Sequence, residues 1–224
     1  MHLRIFFSAA VAALMTCETL LAGAPPMPPM TNGDGNPANN GMKHANVSLT
    51  GTVLAVNINT PPASPVTMTS GYGMDFTPSK FDVLEDVSFN AQHGWLPDGF
   101  FTTLPAGGAI WIKRTGTTQP AGSTFKVYDG GNAIEGMGAW SMNEIYANNG
   151  DLWQWDGVMQ HDYFTADMPG SYSMSFEVFV GDAVGDAVAG FTPAPATFQF
   201  IVLPEPSACA LALLAAVGLF CRRR

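Results

Sequence analysis

The sequence predicts an all-β protein, and three observations carry that prediction. Tyr172, Met174, Phe176, Val178 and Val180 alternate with serines and Glu177, and Phe198, Phe200 and Val202 repeat the pattern. A period of two belongs to a strand with one buried face. Twenty-four glycines and 17 prolines punctuate the 224 residues at short intervals, which supplies the turns that many short strands need. Between the two ends no stretch shows the apolar spacing of a helix. The economical architecture is a single antiparallel β-sandwich of seven or eight strands, immunoglobulin-like or jelly-roll-like.

Taken in order, the chain opens with Arg4, an apolar stretch from Ile5 to Met15, and the small residues Ala22-Gly23-Ala24. This is the layout of a signal peptide over residues 1–24, to be removed by signal peptidase on export. Cys17 offers a lipoprotein alternative, for which Thr16 is a poor preceding residue. Residues 25–43 are rich in Pro, Gly and Asn and carry no apolar period, so they read as a flexible linker. Asn32, Asp34 and Asn36 have the spacing of a calcium loop, but Pro37 stands where the turn needs glycine and Lys43 where the closing glutamate belongs.

The folded part, residues 44–203, begins at His44. Val47, Leu49, Val53 and Ala55 alternate with polar residues in a first strand that Pro61, Pro62 and Pro65 terminate. Further strand-like runs are Phe81 to Phe89, Ala109 to Lys113, Phe125 to Tyr128 and Leu152 to Trp155. The connection from Gly181 to Pro195 is long for a hairpin, so the last two strands are expected to cross between sheets.

After Leu203 come Pro204-Glu205-Pro206, then fourteen uncharged residues from Ala208 to Cys221, then Arg222, Arg223 and Arg224. As a helix the uncharged run would reach about 21 Å, short of a bilayer core of about 30 Å. The terminal arginines would hold their end in the cytoplasmic interface. Triplet, short apolar segment and arginine cluster together resemble the PEP-CTERM sorting signal of Gram-negative envelope proteins. The resemblance covers residues 204–224. It implies recognition and cleavage near the triplet by an exosortase-type membrane enzyme, after transient insertion in the inner membrane, leaving the product at the cell surface, in the outer envelope or outside the cell.

Without both terminal signals the chain keeps sixteen acidic residues against five basic ones (Lys43, Lys80, Lys113, Arg114 and Lys126), a net of −11. Such a surface repels phosphate backbones and disfavours nucleic-acid binding. All three cysteines, Cys17, Cys209 and Cys221, fall in the terminal segments, so the middle domain must hold together by burial alone. No Gly-x-Ser-x-Gly elbow, His-Glu-x-x-His helix or phosphate-cradling glycine loop occurs, and a non-enzymatic role is expected.

Two groups of side chains remain. His44, His93 and His161 are the histidines of the domain, with Asp162 beside the last, and zinc or copper would be the ions such imidazoles take. The order Gly41-Met-Lys-His44, Ala109-Ile-Trp111-Ile, Phe125-Lys-Val-Tyr128, Trp155, His161-Asp-Tyr-Phe164-Thr and Met168-Pro-Gly170-Ser-Tyr172 resembles the surface-anchored repeat domain, or choice-of-anchor M type, over most of residues 44–203. That resemblance implies a cell-surface β domain with histidine pairs after the first strand and before the Pro-Gly-x-Tyr turn. Here Asn57 and Asn59 stand at the first pair, and Met159 stands in for the partner of His161.

The second group is aromatic. Trp153 and Trp155, within Asn148-Asn149-Gly150-Asp151-Leu152-Trp153-Gln154-Trp155-Asp156, would suit stacking on an extracellular polysaccharide if exposed, but alternation places both on one face, which in a sandwich without disulfides is the core face. The expectation is therefore an exported structural or adhesive surface protein. Metal binding through His44, His93 and His161 is the second reading, and carbohydrate binding through Trp153 and Trp155 the third.

Overall fold

The computed structural model describes residues 28, 41–58, 65–101, 103–131, 134 and 140–204. The expected signal peptide, the three arginines, Glu205, Pro206 and the short apolar segment lie outside them. No helix among the described residues is long and apolar enough to cross a membrane.

The protein is mostly β, in three sheets. The first contains β1 (Lys43–Thr50), β2 (Val53–Ile58), β6 (His93–Pro97) and β10 (Gln160–His161), in the order β10-β6-β1-β2. The second, ordered β4-β5-β11-β8, contains β4 (Thr69–Ser70), β5 (Ser88–Asn90), β8 (Phe125–Tyr128) and β11 (Tyr163–Ala166). The third is five-stranded, β3-β13-β12-β7-β9, with β3 (Val66–Thr67), β7 (Ala109–Thr118), β9 (Leu152–Trp155), β12 (Gly170–Gly181) and β13 (Ala194–Val202). Pairing is antiparallel except for β1 with β6 and β13 with β3.

The first two sheets share chain. β5 runs into β6 after Ala91-Gln92, and β10 into β11 after Asp162, while β6 pairs β10 and β5 pairs β11. Gly94 opposes His161, yet Asn90 opposes Phe164, so the register slips by one residue between the two ladders. An extra residue of this kind bends a strand and re-aims its side chains. Buried polar groups secure the bend. The Gln92 amide N–H donates to Asn90 Oδ1 at 2.7 Å, Asn90 Nδ2 donates to Gln92 Oε1 at 3.0 Å, and Gln92 Nε2 reaches the Gly41 carbonyl at 3.0 Å. The Lys43 N–H donates to the Gln92 carbonyl at 2.7 Å, which fixes where β1 begins.

The main core draws on all three sheets, with Ala45, Val47, Leu54 and Trp95 meeting Ile110, Ile112, Phe125, Phe164, Phe176, Phe198 and Phe200. A smaller cluster of Phe76, Phe81, Leu84, Phe89, Trp140 and Tyr163 lies apart from it. Pro28, in the segment expected to be a linker, is buried, and its carbonyl accepts a hydrogen bond from the Tyr163 hydroxyl at 3.3 Å.

Several expectations are corrected. The first predicted strand is a hairpin: Gly51 turns the chain at φ 60°, after which Leu54 faces inward while Val53 and Ala55 are exposed. Phe81 to Phe89 is not one strand. Its first part is a 3₁₀ turn, Ser79–Leu84, that buries Phe81 and Leu84, and only β5 follows as strand. β12 and β13 do not cross between sheets. They pair directly, Gly170 with Val202 through Val178 with Ala194, and Asp182 organises the long connection by accepting the N–H groups of Val184 and Asp186.

Candidate functional site

β1 and β10 both pair with β6, and one cross-strand row reads His161, Gly94, His44. Residues directly opposite in a ladder share a face. Strands are spaced about 4.8 Å apart, so the two histidine backbones stand roughly 10 Å apart with a strand between them. Their imidazole centres are nonetheless 5.3 Å apart, at an interplanar angle of 67°. The intervening residue makes this approach feasible, because a Cβ built on Gly94 would stand 2.6 Å from Cε1 and Nε2 of His161. The ring occupies the space that any other residue would fill.

Position and tautomer of His161 are fixed together. Its Nδ1 lies 2.8 Å from the carbonyl of Ala91, at the strand bend. A carbonyl only accepts, so Nδ1 carries the hydrogen and Nε2 of the neutral ring keeps its lone pair. Nε2 of His161 and Nε2 of His44 are both shut off from solvent without a hydrogen-bond partner. Burial is the largest cause lowering both pKa values, taking His161 down to about 4, and His44 adds a repulsive charge to His161. The pair is neutral at pH 7; His161 presents a bare Nε2 lone pair, and His44 presents a second one in its Nδ1–H tautomer, the form a metal ion requires.

His93 does not join them. It pairs with Lys43 on the opposite face of the sheet, stacks on Phe198 at 4.4 Å and 4°, and meets the edge of Phe200 at 5.3 Å. Burial chiefly, then the charges of Lys43 and His161, push its pKa down to about 3. The Gln199 backbone pulls the other way without making a well-formed hydrogen bond, since both ring nitrogens lack a partner of good geometry. Of the three candidate histidines, His44 and His161 are brought into contact and His93 is held on the other face. Among the described residues no group of three His, Cys, Asp or Glu side chains is placed to hold a metal.

Asp162 also turns away from the pair. Its Oδ1 accepts from Gln160 Nε2 at 2.8 Å and from the Gly130 N–H at 3.4 Å, and burial raises its pKa to about 7. Gln160 Nε2 also contacts Asp129 Oδ1 at 3.0 Å, so two carboxyl groups share one amide. Asn57 sits on β2 opposite Asn46, whose Nδ2 donates to the Asn57 carbonyl at 3.2 Å, and Asn59 lies outside the described residues. Of the tryptophans, Trp155 is 2% exposed and donates its indole N–H to the Val158 carbonyl at 2.7 Å, while Trp153 packs half-buried against the core. Trp155 therefore leaves no ring face free for a sugar, in keeping with the core placement that alternation suggests.

Gly94 and Ala91 are the site residues that sequence reasoning missed. The signal was a glycine between a histidine and a tryptophan, His93-Gly94-Trp95, with no turn-forming neighbour on either side. No family model matches the chain, and no curated protein is significantly similar to it.

Proposed function

We propose that this is an exported, non-enzymatic protein of the cell surface or extracellular matrix, structural or adhesive in role and processed by an exosortase-type enzyme at Pro204-Glu205-Pro206. The triplet, with the short uncharged segment and three arginines behind it, carries the reading. The geometry suits it. β13 ends at Val202, and Leu203 and Pro204 are exposed, so a cut beyond them would leave every strand in place. The two four-stranded sheets, joined through β5-β6 and β10-β11, then form one layer against the five-stranded sheet, a single sandwich around the shared core. Replacing Pro204, Glu205 and Pro206 by alanine should leave the terminal arginines on the product, read by mass spectrometry of the C-terminal peptide. Normal processing of that variant overturns the sorting reading.

A second reading, metal binding, is favoured by one observation: two contacting imidazoles, each with a bare buried Nε2. An ion that binds only the folded chain raises its melting temperature. Titration with zinc and with copper tests this, and a melting temperature that neither metal changes at about 1 mM rejects it.

A further inference from the structure

We propose that the His44–His161 pair selects a monovalent d10 ion, copper(I), over zinc(II), holding it between the two Nε2 atoms in a site closed to water. This rests on the metal reading above and adds which ion the site takes. Zinc in proteins is almost always four-coordinate, and a site with fewer protein ligands makes up the number with water. Here the pair supplies two nitrogens, and no third His, Cys, Asp or Glu is placed to help among the described residues. Both nitrogens are sealed from solvent, so water cannot complete the shell. Copper(I) is satisfied by two nitrogen donors.

Charge argues the same way. The desolvation cost of an ion grows with the square of its charge, so a dication costs about four times as much as a monocation in the same place. Among the described residues no carboxylate is placed to offset that cost, because Asp162 is turned to the other face and bonded to Gln160 and Gly130. The spacing also suits ligation. With bonds of about 2.0–2.1 Å, the centre of a ligating imidazole lies about 3 Å from the ion, so two such rings stand about 5 Å apart at a tetrahedral angle and about 6 Å apart in the near-linear arrangement of a two-coordinate ion. The rings are 5.3 Å apart before any ion enters, so seating copper(I) spreads them by roughly 1 Å. His161 is held by Ala91 with Nε2 as the donor, so the less buried His44 ring is the one that moves to bring its own Nε2 to the ion.

The test uses the purified chain carrying Cys17→Ser, Cys209→Ser and Cys221→Ser, so that no thiol competes for the ion, without oxygen, with copper(I) supplied under reductant, silver(I) as a redox-inert equivalent, and zinc(II). The expected result is one copper(I) or silver(I) per chain in competition with a chromophoric chelator, a raised melting temperature, two nitrogen neighbours by X-ray absorption, and no shift with equimolar zinc. His44→Ala, where the ring edge away from Nε2 is partly exposed, should fold and lose more than about tenfold in copper(I) affinity. Zinc binding as tight as copper(I), or an undiminished His44→Ala variant, overturns the selectivity claim while leaving metal binding standing. Binding of none of the three ions overturns both.

Discussion

The two faces of β6 use the same chemistry in opposite ways. On the inner face His93 serves as an aromatic plate, stacked on Phe198 beside Trp95, with its nitrogens unused and its charge suppressed by burial. One residue along, on the outer face, Gly94 has no side chain, and two histidines from neighbouring strands lean into the vacancy as nitrogen donors. The difference teaches that a histidine's role here follows from what stands beside it in the ladder. Where the neighbours are phenylalanines the ring packs, and where the neighbour is glycine the ring gains room to present a lone pair.

Removing the inner face's anchor should have the largest effect. Trp95 is 2% exposed and packs against Phe176 and Phe198 at ring distances of 5.4 and 5.0 Å. Trp95→Ala should cost about 3–5 kcal/mol in denaturant unfolding. The outer face is broken by filling its gap. In Gly94→Ala the new Cβ would stand 2.6 Å from the Gln160 carbonyl as well as from the His161 ring. We expect a loss of about 1–3 kcal/mol, together with loss of the His44–His161 ring contact in NOE spectra. A variant that keeps the contact would show that the vacancy is not what brings the rings together. Smaller again is His93→Phe, which keeps an aromatic plate and removes two unsatisfied nitrogens. It should be stability-neutral within about 1 kcal/mol or slightly stabilising, whereas His93→Ala should cost about 2 kcal/mol or more.

The same contrast explains what could be read from the sequence. β7, β8, β9, β12 and β13 were visible because burial on one face imposes alternation, as in Tyr172 to Val180 or Phe198 to Val202. β6 and β10 were not. His-Gly-Trp-Leu-Pro is interrupted by a glycine and closed by a proline, so it shows no alternation, and Gln160-His161 is too short to show a period. Phe81 and Leu84 misled because their spacing of three fits a 3₁₀ turn, while the apolar composition around them suits a strand. The histidines themselves were legible as candidates. Their pairing was not, since it depends on a parallel register between β1 and β6, which no local pattern encodes.

The last prediction separates the faces by pH and has its smallest effect near neutrality. His93 and His161 have folded pKa values of about 3 and about 4, below the ordinary 6.5, so the unfolded chain binds their protons first. Their contribution is fully present above pH 6.5 and is lost as pH falls from there toward 4. Asp162 has the opposite sign. Its folded value of about 7 lies above 3.8, so the carboxyl is favoured while protonated, and stability is lost as pH rises from about 4 through 7. These two histidines, with His44 lowered in the same direction, outweigh one aspartate on the acid side, and the aspartate dominates above neutrality, so stability should peak between about pH 6.5 and 7 in urea midpoints measured from about pH 4 to 8. His93→Phe should flatten the acid limb by removing the inner-face histidine. Asp162→Asn should flatten the limb above pH 6.5 and steepen the acid one. If His93→Phe leaves the acid limb unchanged, the inner face is not a source of acid sensitivity, and the contrast between the two faces reduces to packing alone.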